Sequence, residues 1–77
     1  MDGVNGLRVV VTGSSRGIGR AAAVRLGALG ARVVINGTKA NALAETAAAL
    51  EAVGAEYRMV TGSVAEPATA QALIESA

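Results

Sequence analysis

The chain holds 77 residues, 52% of them hydrophobic, yet 18 are Ala and Tyr57 is the only aromatic. A domain this small buries only about 60% of the surface its unfolded chain exposes, so the core must be thin and a second domain is excluded. Seven basic residues against six acidic give a formal net charge of +1, and with no Cys and no His the chain has no disulfide, no zinc site of the usual ligands and no Cys or Ser/His nucleophile system. That charge pattern does not suit capture of nucleic acid or of a lipid surface. Met1 to Gly6 lack the basic and apolar regions of a secretory leader, and no apolar run nears the roughly 20 residues of a membrane span. A soluble, cytoplasmic protein is the expectation.

In chain order, residues 7–12 read as a first strand, rich in Val, that runs into the glycine loop Thr12-Gly13-Ser14-Ser15-Arg16-Gly17-Ile18-Gly19. A helix is predicted over 18–29, with Ile18, Ala22, Leu26 and Leu29 on one face and Gly30 as its stop. Residues 31–36 form a second strand whose continuous Val33-Val34-Ile35 suits burial on both faces of a parallel sheet. Thr38 is placed to cap a second helix over 39–53, with Leu43, Ala47 and Leu50 on its apolar stripe and Gly54 after it. A weaker third strand at 56–61 ends at Gly62-Ser63, and Pro67 opens a third helix over 67–76 that carries Leu73 and Ile74.

Strand and helix alternate three times, which predicts an α/β fold of three βα units with right-handed crossovers. Two crossovers in the same direction place the strands in order 3-2-1, half of a doubly wound parallel sheet. Residues 1–77 form one partial domain on this reading. The first strand then lies at a sheet edge, and Val9-Val10-Val11 invite pairing with another chain or with a missing segment.

The loop carries the chemistry. Gly17-Ile18-Gly19-Arg20-Ala21-Ala22 fits the dinucleotide pattern G-x-G-x-x-A at the required place, after a strand and at the opening of a helix. Gly13 permits the tight turn, Gly17 and Gly19 allow backbone to approach a pyrophosphate resting on the helix N-terminus, and Ala22 allows close packing of helix on strand. The bland alternative is that these glycines serve only turns. No G-K-[ST] follows, so a P-loop triphosphatase is disfavoured.

At these residues the sequence resembles the short-chain dehydrogenase/reductase family, whose T-G-x-x-x-G-x-G segment Thr12 to Gly19 matches without departure. The resemblance runs along the whole chain and implies a Rossmann-type fold with a nicotinamide dinucleotide as its partner. It implies that Gly13, Gly17, Ile18 and Gly19 line the pyrophosphate, that Ser14 and Ser15 hydrogen-bond around the adenosine phosphates, and that Thr12 ties the loop in place. NAD sites usually carry an acid at the end of the second strand, about 20 residues past the loop. Here the segment reads Asn36-Gly37-Thr38-Lys39. Thr38 and Lys39, with Arg16, suit the 2′-phosphate of NADP, so NADP is favoured over NAD; the alternative is that Arg16 and Lys39 are solvated surface charges. Relatives commonly carry Asp where Ser63 stands, to read adenine, and Val64 would then pack on the ring. Ser63 can equally serve as a turn or helix-capping residue.

The family reaction rests on a Tyr-x-x-x-Lys pair with a nearby Ser, and this chain offers no catalytic residue of that kind: Tyr57 is followed four residues later by Thr61 and reads as a packing residue. The expectation is therefore the NADP(H)-binding N-terminal half of a short-chain oxidoreductase that moves hydride between the cofactor and a carbonyl or secondary alcohol. The alternative is a stand-alone, non-catalytic dinucleotide-binding module that self-associates. No metal is implied, and the substrate is not encoded here.

Overall fold

The computed structural model describes residues 5–76. The reading of Met1 to Val4 as free of a leader, and residue 77, lie outside them. Six elements alternate: β1 (Arg8–Val11), α1 (Gly17–Ala28), β2 (Arg32–Gly37), α2 (Ala40–Ala52), β3 (Tyr57–Thr61) and α3 (Pro67–Ser76). The strands form one parallel sheet in the order β1-β2-β3, the expected order seen from its other edge. Both early helices end as the glycines direct. Gly30 and Gly54 take φ of 96° and 71°, and in each case the glycine N–H and the one after it reach back to the last helical turn, at 3.0 and 3.1 Å in α1 and at 3.0 Å twice in α2. These are Schellman closures, open to glycine because the left-handed conformation costs it nothing.

Register assigns the faces. Val9, Val33 and Tyr57 share one row and Val11, Ile35 and Met59 the next, on one face; Val10, Val34 and Arg58 share a row on the other. On the first face α1 and α2 pack Ala23, Leu43, Ala47 and Leu50 against Val33 and Ile35, all buried. On the second, α3 sets Leu73 against Val34 and Val60. Five consecutive residues of β2, Val33 to Gly37, are buried, as a strand covered on both faces requires.

Three local expectations change. The buried face of α1 is Ala23 and Gly27 rather than the predicted stripe, and Ile18 is 89% exposed. The helix lies so close to α2 and to the turn before β3 that a methyl on Gly27 would stand 2.7 Å from both Leu50 Cδ2 and Ala55 Cβ. Close approach therefore selects the smallest side chains, and the packing role given to Ala22 falls to Ala23 and Gly27. Thr38 does not cap α2: Lys39 occupies the N-cap, with no side-chain cap bond. On α3, Leu73 is buried but Ile74 is 73% exposed. Among the described residues no helix is long and apolar enough to cross a membrane.

Candidate functional site

Because the strands are parallel, the loops after β1, β2 and β3 gather at one end of the sheet, where ligands of open α/β sheets bind. The β1–α1 loop is shaped by its glycines. Gly13 and Gly17 both take φ of 63°, and neither position is crowded, so their requirement is conformational. Gly19 differs: a methyl there would collide with the Gly13 carbonyl, so the loop folds directly onto the first turn of α1. Arg16, the N-cap of α1, is extended and makes no side-chain cap bond, and the first turn carries no acid. The amides of Gly17, Ile18 and Gly19 have no intrahelical acceptors and lie at the positive end of the helix dipole. Such a helix end can receive an anion, and Arg16 and Ile18 beside it are exposed.

The back of the loop is held by buried polar groups. Ser14 is fully buried, and its Oγ lies 2.8 Å from the Val11 carbonyl and 3.1 Å from the Asn36 carbonyl while accepting the Asn36 N–H at 2.8 Å. Its hydroxyl therefore clamps β1 to β2 and is not turned toward a phosphate. The Ser14 N–H donates to the Asn36 carbonyl at 2.8 Å. Asn36, also buried, donates from Nδ2 to the Val60 and Gly62 carbonyls at 2.9 and 3.0 Å, tying the end of β2 to the end of β3. Thr46 of α2 donates to the Ser14 carbonyl at 2.7 Å and accepts Arg20 Nε at 2.9 Å. Arg20 also donates to the Ser15 carbonyl and, at 3.1 Å, to that of Ala42. Every buried side-chain nitrogen and oxygen among the described residues has a partner, so this network is complete.

The remaining predicted residues fall at the same end of the sheet. Thr38 and Lys39 are exposed after β2, and Ser15 is half-buried, its hydroxyl set against Gly37. Thr12 is exposed, and the tie expected of it is made by Ser14. Ser63 is half-buried and engaged locally: its Oγ accepts the Ala65 N–H at 3.2 Å, and its own N–H reaches Glu66 Oε1 at 3.4 Å. These bonds close the turn that leads into α3, with Val64 beside it 51% exposed. A groove of about 760 Å³ lies at the opposite end of the sheet, lined by Arg8, Arg32, Glu56, Tyr57 and Arg58 among others. It is open and charged on both signs, and it shares no residue with the loop. Tyr57 stands there, its hydroxyl donating to Glu51 Oε1 at 3.0 Å. Sequence reasoning missed Asn36, Thr46 and Arg20; a polar residue within a buried strand and another on a buried helical stripe were the available signals for the first two.

The short chain dehydrogenase family matches residues 7–77. The chain belongs to that family. It is 43% identical over 75 residues to the L-rhamnose 1-dehydrogenase (NAD(P)(+)) of Sphingomonas sp. (strain SKA58), covering 96% of this chain and 30% of that one. An NADPH-dependent aldehyde reductase-like protein, chloroplastic, of Arabidopsis thaliana is 40% identical over 78 residues, with 88% of this chain and 29% of its own length matched. Among solved structures, the L-sorbose reductase from Gluconobacter frateurii complexed with NADPH and L-sorbose superposes with a TM-score of 0.89 at 38% identity, covering 99% of this chain and 30% of that one. The chain thus spans about 30% of the length of these relatives. For a short-chain dehydrogenase, the matched portion carries the glycine loop and the three strand ends that face it.

Proposed function

We propose that the chain forms the adenosine-diphosphate-binding half of an NADP(H)-dependent oxidoreductase acting on a carbonyl or secondary alcohol. The uncapped N-terminus of α1 carries this reading: its first-turn amides follow a loop turned by Gly13 and Gly17, with open space beside both, which suits the pyrophosphate. Val64 would offer an apolar contact to adenine, and Ser63, engaged in its turn, less. The cofactor, when bound, supplies the hydride chemistry. This chain's own residues bind and orient it. The proton-transfer residues of the family reaction are not among those described: Tyr57 has Thr61, not Lys, four residues on and lies at the wrong end of the sheet.

The preference for NADP rests on charge. No acid stands among residues 36–39 to hold a free ribose 2′-hydroxyl, and Arg16 and Lys39 are exposed cations on two of the loops that meet at this end. Relatives named for NADPH favour the same choice. Calorimetric titration tests it. NADPH should bind saturably and more tightly than NADH, and replacing Arg16 and Lys39 by Ala should bring the two affinities together. No saturable signal for either cofactor below millimolar would sink the reading.

A second reading, a non-catalytic module that self-associates, is favoured by one observation. The outer edge of β1 has no strand partner among the described residues, and Val10 on that strand is 39% exposed. Light scattering separates the two, since a defined dimer supports the module.

A further inference from the structure

The Arg20 guanidinium is the hub of the polar network behind the loop, and no part of the dinucleotide pattern requires it. It sits one turn into α1, yet its donors go to α2 and to the loop: to Thr46 Oγ1 at 2.9 Å, to the Ala42 carbonyl at 3.1 Å and to the Ser15 carbonyl. Thr46, fully buried, passes the contact on to the Ser14 carbonyl at 2.7 Å. Two successive carbonyls of the glycine loop are thus drawn toward α2. No peptide bond here is cis. In a trans peptide the carbonyl of one residue and the N–H of the next point in opposite directions. Fixing the Ser14 and Ser15 carbonyls therefore turns the N–H groups of Ser15 and Arg16 away from α2, next to the free first-turn amides of α1. Successive backbone N–H groups aimed the same way form an anion-binding concavity.

We infer that Arg20, working through Thr46, is a positioning residue that orients these two peptide planes toward the diphosphate of a dinucleotide. The inference rests on the cofactor reading above. Arg20 serves by geometry: its Nε hydrogen goes to a hydroxyl and its Nη2 hydrogens to two carbonyls, and its fork lets Nε and a terminal nitrogen reach α2 and the loop together, which a single ammonium cannot reproduce. The clamp also fixes the loop, through the Ala42 carbonyl, to the first turn of α2, whose N-cap is Lys39, and so holds the diphosphate subsite at a set distance from the cation proposed to meet the 2′-phosphate.

The test uses the native polypeptide and two probes, NADPH and adenosine 2′-phosphate, which lacks the diphosphate. Arg20→Lys keeps the charge and loses the fork, Thr46→Val loses the bond to the loop with no change in charge, and Thr46→Ser restores the hydroxyl. Arg20→Lys and Thr46→Val should each weaken NADPH binding about tenfold or more, with adenosine 2′-phosphate binding unchanged, and Thr46→Ser should bind NADPH as the unaltered protein does. Retained binding of adenosine 2′-phosphate also shows that the variants are folded. Equal losses for both probes, or full NADPH affinity in Arg20→Lys, would overturn the positioning role while leaving the cofactor reading intact. Failure of the unaltered protein to bind NADPH overturns both.

Discussion

The two faces of the sheet are built to different depths. On one, α1 and α2 together seal Val33, Ile35 and the helix residues Ala23, Leu43 and Leu50 at 1% exposure or less. On the other, α3 alone covers Val34 to 4%, while Val10 in the same row stays 39% exposed. The number of covering helices accounts for the difference. The first two crossovers travel from β1 to β3 with their helices on one face. On the opposite face α3 stands alone among the described residues, packed on Val34 of β2 and Val60 of β3. The deep face is therefore a finished layer, and it is also the layer that holds the glycine loop, through Thr46 and Arg20. The shallow face is covered only where α3 lies, over β2 and β3.

The comparison predicts unequal costs for equal deletions. Leu50→Ala, on the deep face and wholly buried, should cost about 2–5 kcal/mol, enough to unfold much of so small a domain. Leu73→Ala, 8% exposed and packed on only Val34 and Val60 of the sheet, should fall at or below the low end of that range. Urea unfolding of both variants reads the difference, and equal midpoints would break the contrast between the faces.

Next in size are two changes that probe how tightly each side is fitted. Gly27→Ala puts a methyl 2.7 Å from Ala55 Cβ, and overpacking of this kind costs about 1–3 kcal/mol, against which helix propensity returns up to about 1. A stabilised variant would mean that the deep face has slack. Asn36→Ala leaves the Val60 and Gly62 carbonyls without their donor, a loss of about 1–3 kcal/mol. Faster amide hydrogen exchange at the end of β3, with the centre of β1 unaffected, would locate that loss where Asn36 acts.

How much of this could be read from the sequence depends on the range of the interaction concerned. The six elements follow from local signals: runs of Val, glycines after helices and Pro67 at a first helical turn, and their observed bounds lie within two residues of the expected ones. The glycine loop is equally local, because each glycine answers to a turn or a close contact only a few residues away. The buried polar clamp is not. Ser14 and Thr46 are 32 positions apart, and Arg20 and Ala42 are 22 apart. Thr46 lies at the right spacing beside Leu43 and Leu50 to be buried, yet its partner is a backbone carbonyl, which leaves no mark in the sequence. Ser14 shows the converse error, since a serine in a phosphate loop reads as a ligand while the fold turns its hydroxyl inward. The α1 stripe misled because size, not hydrophobicity, decides which residues fit where α1 lies this close to α2 and to the turn before β3.

The smallest expected effect lies at the rim of the deep face. The Tyr57 ring packs against that core, while its hydroxyl donates to the Glu51 carboxylate. That hydrogen bond exists only while the phenol is protonated. With some help from burial and the negative charge of Glu51, it raises the Tyr57 pKa above its ordinary value of about 10. A group whose folded pKa is raised contributes stability that is fully present below the unfolded value and is lost as pH climbs through the folded one. Tyr57→Phe should therefore be slightly less stable than the unaltered protein at pH 8, and the gap should close as pH rises above about 10. Thermal midpoints of the two proteins measured side by side from pH 8 to 11 read the difference directly. The absence of a gap at pH 8 would assign the Tyr57 contribution to its ring alone, and a gap that stays constant or widens would contradict the raised pKa.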